Sequence, residues 1–266
     1  MITEFLALPD PVLMSASGFF VGLLVGLTGV GAGALTTPLL ISGFGVAPAV
    51  AVGTDLLFAG LTKIGGAWRH HQLGHVNWKI LGYLAAGSIL AALATLALIF
   101  GVQSEKTDLG PTIKLVLAAT LVMSAIAVPL IPVLLVRRKK TPSTTVASRP
   151  LATIAMGAVI GAIVTLTSVG AGAIGVAVLT LLYPMLRARH IVGTDIVHAV
   201  PLTLLSGTGH LSIGNVDYAI LAALLIGSVP GIMIGSRLTS VFPDWLLRLI
   251  LAAVLASAAY LLIVKA

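Results

Sequence analysis

Two acidic side chains stand inside apolar stretches of this 266-residue chain, and each ends the same four-residue sequence, VGTD. They are Asp55 and Asp195, preceded by Thr54 and Thr194. An acid inside a membrane segment is costly and is therefore a candidate for proton coupling or gating. Two other roles fit the same residues: Thr or Asp can cap the start of a helix, and an acid can form an ion pair.

One lysine and one histidine lie close to these acids in sequence. Lys63 follows Asp55 by eight residues, about 80° around a helix, so the two do not share a tight face. Its side chain can steer an anion inside the protein or snorkel to the membrane surface, and snorkelling is the favoured interpretation. His198 follows Asp195 by three residues on the same helix face, where it can hold a proton or simply pack.

Two glycine-rich stretches, GVGAGALTTP (29–38) and SVGAGAIGVA (168–177), stand where membrane helices are expected. A helix that restarts after a glycine break offers unpaired N–H groups and a positive dipole end, which together can bind an anion. The alternative is close helix packing through small residues. The candidate substrate-binding residues are the glycines and neighbouring hydroxyls of both stretches: Thr28, Gly29, Gly31, Gly33, Thr36, Thr37, Thr167, Ser168, Gly170 and Gly172.

These stretches belong to an internal repeat. Residues 18–35 match 157–174 at an offset of 139, and after a one-residue insertion VGTD (52–55) matches VGTD (192–195). The match continues at an offset of 140 through His70 with His210 and through Gly87-Ser88 with Gly227-Ser228. We therefore expect two transmembrane repeats, 1–136 and 151–266, joined by an exposed basic linker at 137–150.

The composition places the repeats in a membrane. The chain is 58% hydrophobic and 9% charged, and several charge-free runs are long enough to cross a bilayer as a helix. We predict an all-α membrane protein with these apolar segments: 12–28, 33–44, 48–69, 77–100, 112–136, 152–168, 172–186, 190–209, 217–236 and 245–264. The second segment of each repeat is short for a crossing, so the first two either span or form a re-entrant hairpin.

Lys and Arg predict the orientation. If each repeat crosses an odd number of times, the repeats are inverted, and 12 basic residues lie on the side of the linker against 3 on the other. A parallel arrangement gives only 9 against 6. The inverted arrangement is favoured, with a cytoplasmic linker and both termini outside. The net charge of +7 then reflects loop bias, and no pattern of aromatic and basic residues suggests nucleic-acid binding.

No catalytic signature, cysteine or metal-binding pattern is present, and RHHQLGH (69–75) is expected to be an interfacial loop. We therefore predict neither an enzyme nor a bound cofactor.

The duplicated glycine-rich element, with Pro38 after the first copy, resembles the TauE/SafE family of sulfite exporters, also called DUF81 or TSUP. The GTDL and GTDI sequences at 53–56 and 193–196 resemble a second family element, Gly-Thr-x-Leu. Ala32 and Ala171 replace a usual glycine, Ala177 stands where the first copy has proline, and Asp stands where Ser is expected after Gly-Thr. The resemblance covers nearly the whole chain and implies a multipass inner-membrane transporter.

The resemblance implies a small sulfur-containing anion as substrate, such as sulfite or an organosulfonate, moved mostly outward. We expect it to bind near the midplane between the two glycine breaks, with alternating access by movement of one half against the other. Asp55 and Asp195, with protons as the coupling ion, would tune coupling. A small-anion channel and a carrier of a non-sulfur organic anion remain alternatives.

Overall fold

The computed structural model describes residues 10–28, 33–104, 109–136, 149–238 and 243–264. These residues form ten helices. In chain order they are α1 Pro11–Thr28, α2 Gly33–Phe44, α3 Pro48–Gln72, α4 Trp78–Ser104, α5 Gly110–Val136, α6 Pro150–Thr167, α7 Ala173–Leu182, α8 Ala188–Ser212, α9 Tyr218–Leu238 and α10 Asp244–Val264. The ten predicted apolar segments are thus confirmed as helices, and this is an all-α integral membrane protein.

Eight of these helices are long and apolar enough to cross a bilayer, and the exceptions are α2 and α7. At 1.5 Å per residue, α2 rises about 18 Å and α7 about 15 Å, against a hydrocarbon core of about 30 Å. The described helices end and restart at equivalent places in the two repeats: α1 ends at Thr28 and α2 begins at Gly33, and α6 ends at Thr167 and α7 begins at Ala173. The predicted short helices at the glycine-rich elements are confirmed.

The first helix of each repeat packs along the fourth helix of the other repeat. Glycines at four-residue spacing bring the α1 and α9 backbones together: Gly18 contacts Leu224, Gly22 contacts Ser228, Gly26 contacts Ile232, and Gly227, Gly231 and Gly235 contact Ser15, Phe19 and Leu23. On α4 and α6 the matching contacts join Gly157 to Leu84, Gly161 to Ser88 and Gly87 to Ile154. Small residues permit such close approach in membranes, where burial of apolar surface between helices gives little stabilisation.

The third helices of the two repeats, α3 and α8, pack against each other and run antiparallel. Residues later in α3 lie beside residues earlier in α8: Gly53 is next to His210, Gly60 is next to Leu204, and Gly66 is next to Ile196. Two equivalent helices that run antiparallel are related by a pseudo-two-fold axis perpendicular to them. The repeats are therefore inverted, as predicted, and the axis lies in the plane of the membrane.

The two halves of the sequence do not form two separate bodies. The most extensive helix contacts all join one repeat to the other: α1 with α9, α4 with α6, α3 with α8, and α5 with α10. Each repeat therefore uses the other as its main packing partner, and the expected movement of one half against the other stays a prediction.

Hydrogen bonds join the N-terminal end of α6 to the C-terminal end of α7. The buried hydroxyl of Tyr183, just after α7, lies 2.6 Å from the Thr153 hydroxyl in the first turn of α6. The Arg149 N–H also donates to the Tyr183 hydroxyl. The chain therefore enters along α6, breaks, and returns along α7 to the end at which it entered.

Candidate functional site

The second glycine break, residues 168–172, lies between α6 and α7 and has an unusual backbone. Ser168 has a φ of 61°, Gly170 of 119° and Gly172 of 130°. Glycine adopts such angles readily, whereas a side chain disfavours them. The path ends α6 and starts α7 within a few residues. The Gly175 N–H donates to the Gly170 carbonyl at 3.1 Å, and the N–H groups of Ala173 and Ile174 come before the first hydrogen bond within α7.

The start of α2 meets the second glycine break. A Cβ atom added to Gly33, at the start of α2, would lie 3.0 Å from the Ser168 hydroxyl and closer still to the Ser168 carbonyl. Because Gly33 and Ser168 belong to equivalent stretches of the two repeats, this contact lies near the pseudo-two-fold axis, at the centre of the molecule. Gly29 and Gly31, the other candidates of the first break, lie outside the described residues.

Two of the candidate hydroxyls donate hydrogen bonds to backbone carbonyls of their own helices. Thr28 donates to the Leu24 carbonyl at 2.7 Å, and Thr167 donates to the Ile163 carbonyl at the same distance. Thr167 also accepts the N–H of Val169 and so helps to end α6. These hydroxyl protons are used within the helices in this structure.

Lys63 extends toward the second break. Its ammonium donates to the carbonyl of Ala171 at 3.1 Å, and the side chain is only partly exposed. The interpretation that Lys63 snorkels to the surface is therefore wrong. The contacts between α3 and α8 place the pseudo-two-fold axis close to residue 62 of α3, so Lys63 is a cation at the centre of the protein. Its equivalent in the second repeat is Thr203.

Asp55 lies within α3, seven residues after the helix begins at Pro48, and is fully buried. The capping interpretation is wrong for this acid, because Ala47 is the N-cap and it makes no side-chain cap hydrogen bond. The Thr37 hydroxyl donates to Asp55 Oδ2 at 2.6 Å. The hydroxyls of Thr36 and Ser168 also lie beside the carboxylate. Three candidate hydroxyls thus surround the acid.

Asp195 has the equivalent place in α8, seven residues after Ala188, and it too is buried and does not cap. Its surroundings differ from those of Asp55. The backbone of Gly175 packs directly against the Asp195 carboxylate, since a Cβ atom added to Gly175 would collide with Asp195 Oδ1. In the repeat alignment Gly175 and Val176 stand where the first repeat has Thr36 and Thr37. The Lys63 ammonium interacts electrostatically with both acids, and more strongly with Asp195.

His198 lies one helical turn beyond Asp195 and is buried. Its Nε2 atom lies 2.7 Å from the hydroxyl of Ser88, on α4 of the other repeat. Ser88 was missed as a site residue, although its duplication in the Gly-Ser pair was a visible signal. The two residues form a polar pair that links α4 to α8, one helical turn beyond Asp195, and His198 interacts electrostatically with Lys63.

Thr54 and Thr194 bind the opposite repeat. The Thr54 hydroxyl accepts the N–H of Asp217 at 3.0 Å, and the Thr194 hydroxyl accepts the N–H of Asn77 at 2.9 Å. Asp217 and Asn77 in turn cap α9 and α4 through their side-chain oxygens. The Gly-Thr part of each VGTD sequence therefore joins one repeat to the other, a packing role that the sequence alone does not reveal.

The histidine-rich run is mainly helical. Residues 69–72 complete α3, and only 73–77 form the turn that leads to α4. Part of the predicted interfacial loop was therefore helix. Within the described ranges no group of three or more His, Cys, Asp or Glu side chains is arranged to hold a metal ion.

Comparisons with known proteins identify the family. The family model "Sulfite exporter TauE/SafE" matches residues 14–262. The chain is 39% identical over 242 residues to the "Probable membrane transporter protein YjnA" of Bacillus subtilis, covering 90% of this chain and 94% of that protein. It is 26% identical over 231 residues to "Probable membrane transporter protein YdhB" of the same organism, covering 86% and 91%. No solved structure matches the chain.

Proposed function

The chain belongs to the TauE/SafE family and is a membrane transporter, and we propose that it carries small sulfur-containing anions such as sulfite or organosulfonates. The observation that supports the proposal is the central Lys63 ammonium at the second glycine break. The family model that matches the chain is that of sulfite exporters, which supports outward transport of a sulfur oxyanion.

The anion would bind between the Lys63 ammonium and the N-terminal end of α7. The ammonium provides a full positive charge, and the first N–H groups of α7 add hydrogen-bond donors and the positive end of the helix dipole. Ala171 and Gly172 are partly exposed, so this part of the centre is accessible. A sulfonate or sulfite has several oxygen atoms that can accept from both kinds of donor at once.

A proton is the proposed coupling ion, held in the group formed by Asp195, His198 and Ser88. Asp195 and Lys63 attract each other when no anion is bound, and an arriving anion competes with Asp195 for the ammonium. Protonation of Asp195 would free Lys63 for the anion. Binding of the proton and of the anion would then favour each other, which is the requirement for coupled transport.

Alternating access would move bodies that contain helices of both repeats. The close glycine contacts make α1 with α9 one candidate body and α4 with α6 the other. The glycine breaks and the antiparallel α3 and α8 lie between these bodies and would serve as the joint. We place the protein in the cell inner membrane with the basic linker in the cytoplasm and both termini outside, because the Lys and Arg distribution favours that orientation.

A flux experiment tests this proposal. Proteoliposomes with the purified protein should accumulate sulfite with saturation at low turnover and should respond to a pH gradient, and Lys63→Met should lower uptake about 100-fold or more. The control is Lys79→Gln, which removes an exposed lysine near the start of α4 and should leave uptake unchanged. Thermal-shift screening against sulfite, thiosulfate, sulfoacetate, taurine, sulfolactate and carboxylates identifies the preferred anion.

The flux experiment also separates the alternatives. A channel for small anions would conduct without saturation at low turnover and without a response to pH. Normal sulfite uptake by Lys63→Met would contradict the proposed site, and binding of carboxylates in place of sulfur anions would show a carrier of non-sulfur organic anions.

A further inference from the structure

Oxygen atoms from three segments gather around Asp55. The carboxylate comes from α3, the hydroxyls of Thr36 and Thr37 come from α2, and the Ser168 hydroxyl comes from the end of α6 in the other repeat. All four side chains are buried, with at most 4% of Ser168 exposed. The cluster therefore has one ionisable carboxyl group and several uncharged oxygen atoms in a place that excludes bulk water.

Two of these oxygen atoms have no hydrogen-bond partner within the part of the chain that the structure describes. They are Asp55 Oδ1 and the Ser168 hydroxyl, and both are buried. The Ser168 hydroxyl lies near the carboxylate, yet it makes no hydrogen bond of acceptable geometry. A buried polar atom without a partner is costly, and a buried carboxylate oxygen especially so. One ligand that contacts both atoms would satisfy both of them.

The chemistry of the cluster selects a cation. The C-terminal end of α6, which has the negative end of its helix dipole, points to the site at Thr167 and Ser168. Carboxylate and hydroxyl oxygens are hard ligands that suit small hard cations. One carboxylate balances one positive charge, which favours a monovalent ion over Mg²⁺ or Ca²⁺. In transporters, oxygens at helix breaks and half-helix C-terminal ends coordinate Na⁺.

The second repeat lacks the residues for an equivalent site, so we expect one site and not two. Gly175 and Val176 replace Thr36 and Thr37, so the Asp195 cluster lacks the two α2 hydroxyls. Lys63 supplies positive charge to Asp195 and interacts less strongly with Asp55. The positive charge near Asp195 is therefore a side chain of the protein, Lys63. Asp55 is surrounded mainly by uncharged oxygen atoms, which do not balance a carboxylate charge.

We propose that Asp55, Thr36, Thr37 and Ser168 form a binding site for one sodium ion. The Asp55 carboxylate supplies the charge, and the three hydroxyls supply uncharged oxygens from both repeats. Because α2 and α6 belong to different repeats, a bound ion joins the two glycine breaks. The site requires no sulfur anion, so it does not depend on the identity of the transported substrate.

The test is thermal unfolding of the purified protein in detergent without any sulfur anion. NaCl, KCl and choline chloride are compared at constant ionic strength and constant pH. The apparent Tm should rise by roughly 3–5 °C for each tenfold increase in sodium above its Kd, with smaller or no response to potassium and choline. Asp55→Asn and Thr37→Val should lose this sodium response.

Two further variants keep the test decisive. Ser168→Gly should relax the backbone, because glycine tolerates a φ of 61°, yet it should lose sodium response with the hydroxyl. Thr203→Val removes a buried hydroxyl that donates to the Ala199 and Val200 carbonyls of its own helix, at the position equivalent to Lys63, and should keep the full response.

A wild-type Tm that is the same in sodium and choline would overturn the proposal. The same holds if sodium stabilises Thr37→Val and Ser168→Gly as it does the wild type, or if the Tm depends on pH alone, since the ligand would then be a proton. Failure here leaves sulfite flux untouched, so it is distinguishable from failure of the proposed transport function.

Discussion

Asp55 and Asp195 occupy equivalent positions in α3 and α8, but the protein neutralises them differently. Asp55 has hydroxyl groups around it and one of them donates a 2.6 Å hydrogen bond. Asp195 faces Gly175 and interacts with the Lys63 ammonium. The repeats share a backbone arrangement but differ at the positions of Thr36, Thr37, Lys63 and Ser168, which place hydroxyl groups beside one acid and an ammonium near the other.

The difference suggests a division of labour. A lysine that neutralises an acid can release that acid and bind an incoming anion. An acid surrounded by hydroxyl groups can instead bind a small cation. Transport of an anion by one repeat and stabilisation by a cation in the other would follow from the same fold. The comparison makes three predictions about stability, in addition to the flux and sodium experiments.

The largest expected effect is that of Lys63→Met. Removal of the Lys63 ammonium leaves the buried Asp195 carboxylate without this compensating charge, so the free energy of unfolding should fall by about 3 kcal/mol. Addition of Asp195→Asn should recover most of this loss, and addition of Asp55→Asn should recover less, because Lys63 interacts more strongly with Asp195. Denaturant unfolding of the single and double variants in detergent measures both couplings. Equal recovery by the two Asn variants would contradict the assignment.

A smaller effect is expected for Thr37→Val, which keeps the side-chain shape and removes the hydroxyl that bonds to Asp55. Hydrogen bonds to charged groups contribute about 2 kcal/mol, and this variant should lose that amount in a sodium-free choline buffer. The matched change in the other repeat, Val176→Thr, should shift stability by less than about 1 kcal/mol. Similar losses in both repeats would show that the two acids have the same environment after all.

The smallest effect concerns a place where the repeats agree. Thr54→Val and Thr194→Val each leave one N–H, of Asp217 or Asn77, without its hydroxyl partner. Each variant should lose about 1 kcal/mol, and the two losses should be equal within error. Thermal unfolding of both proteins side by side checks the equality, and a large difference would show that the asymmetry extends beyond the centre.

Much of the fold was predictable from the sequence because its signals are local or repetitive. Apolar runs of membrane length indicate helices, and a match such as VGTD at 52–55 and 192–195 indicates duplication. The positions of the breaks were predictable for the same reason, since glycine acts on the chain where it stands. The glycine spacing on α1 and α9 was also visible, but which helix each would pack against was not.

The site was less predictable because its contacts cross between distant segments. Helix spacing separates Lys63 from Asp55 and gives no indication that the ammonium reaches Ala171, 108 residues away. The capping interpretation of the acids failed because Pro48 and Ala188 start their helices earlier than the VGTD sequences suggested. Ser168 and Asp55 meet only because the breaks of the two repeats come together.

Length, hydropathy and charge distribution are enough to predict a duplicated, inverted membrane protein with a glycine-rich stretch in each half, because they act on each segment separately. The surroundings of each acid follow instead from the packing of the helices. Those neighbours come from the opposite repeat or from another helix, and their distances depend on how the helices pack. A side chain in a low-dielectric centre takes its role from the nearest charges and hydrogen-bond partners, and packing alone sets which ones these are.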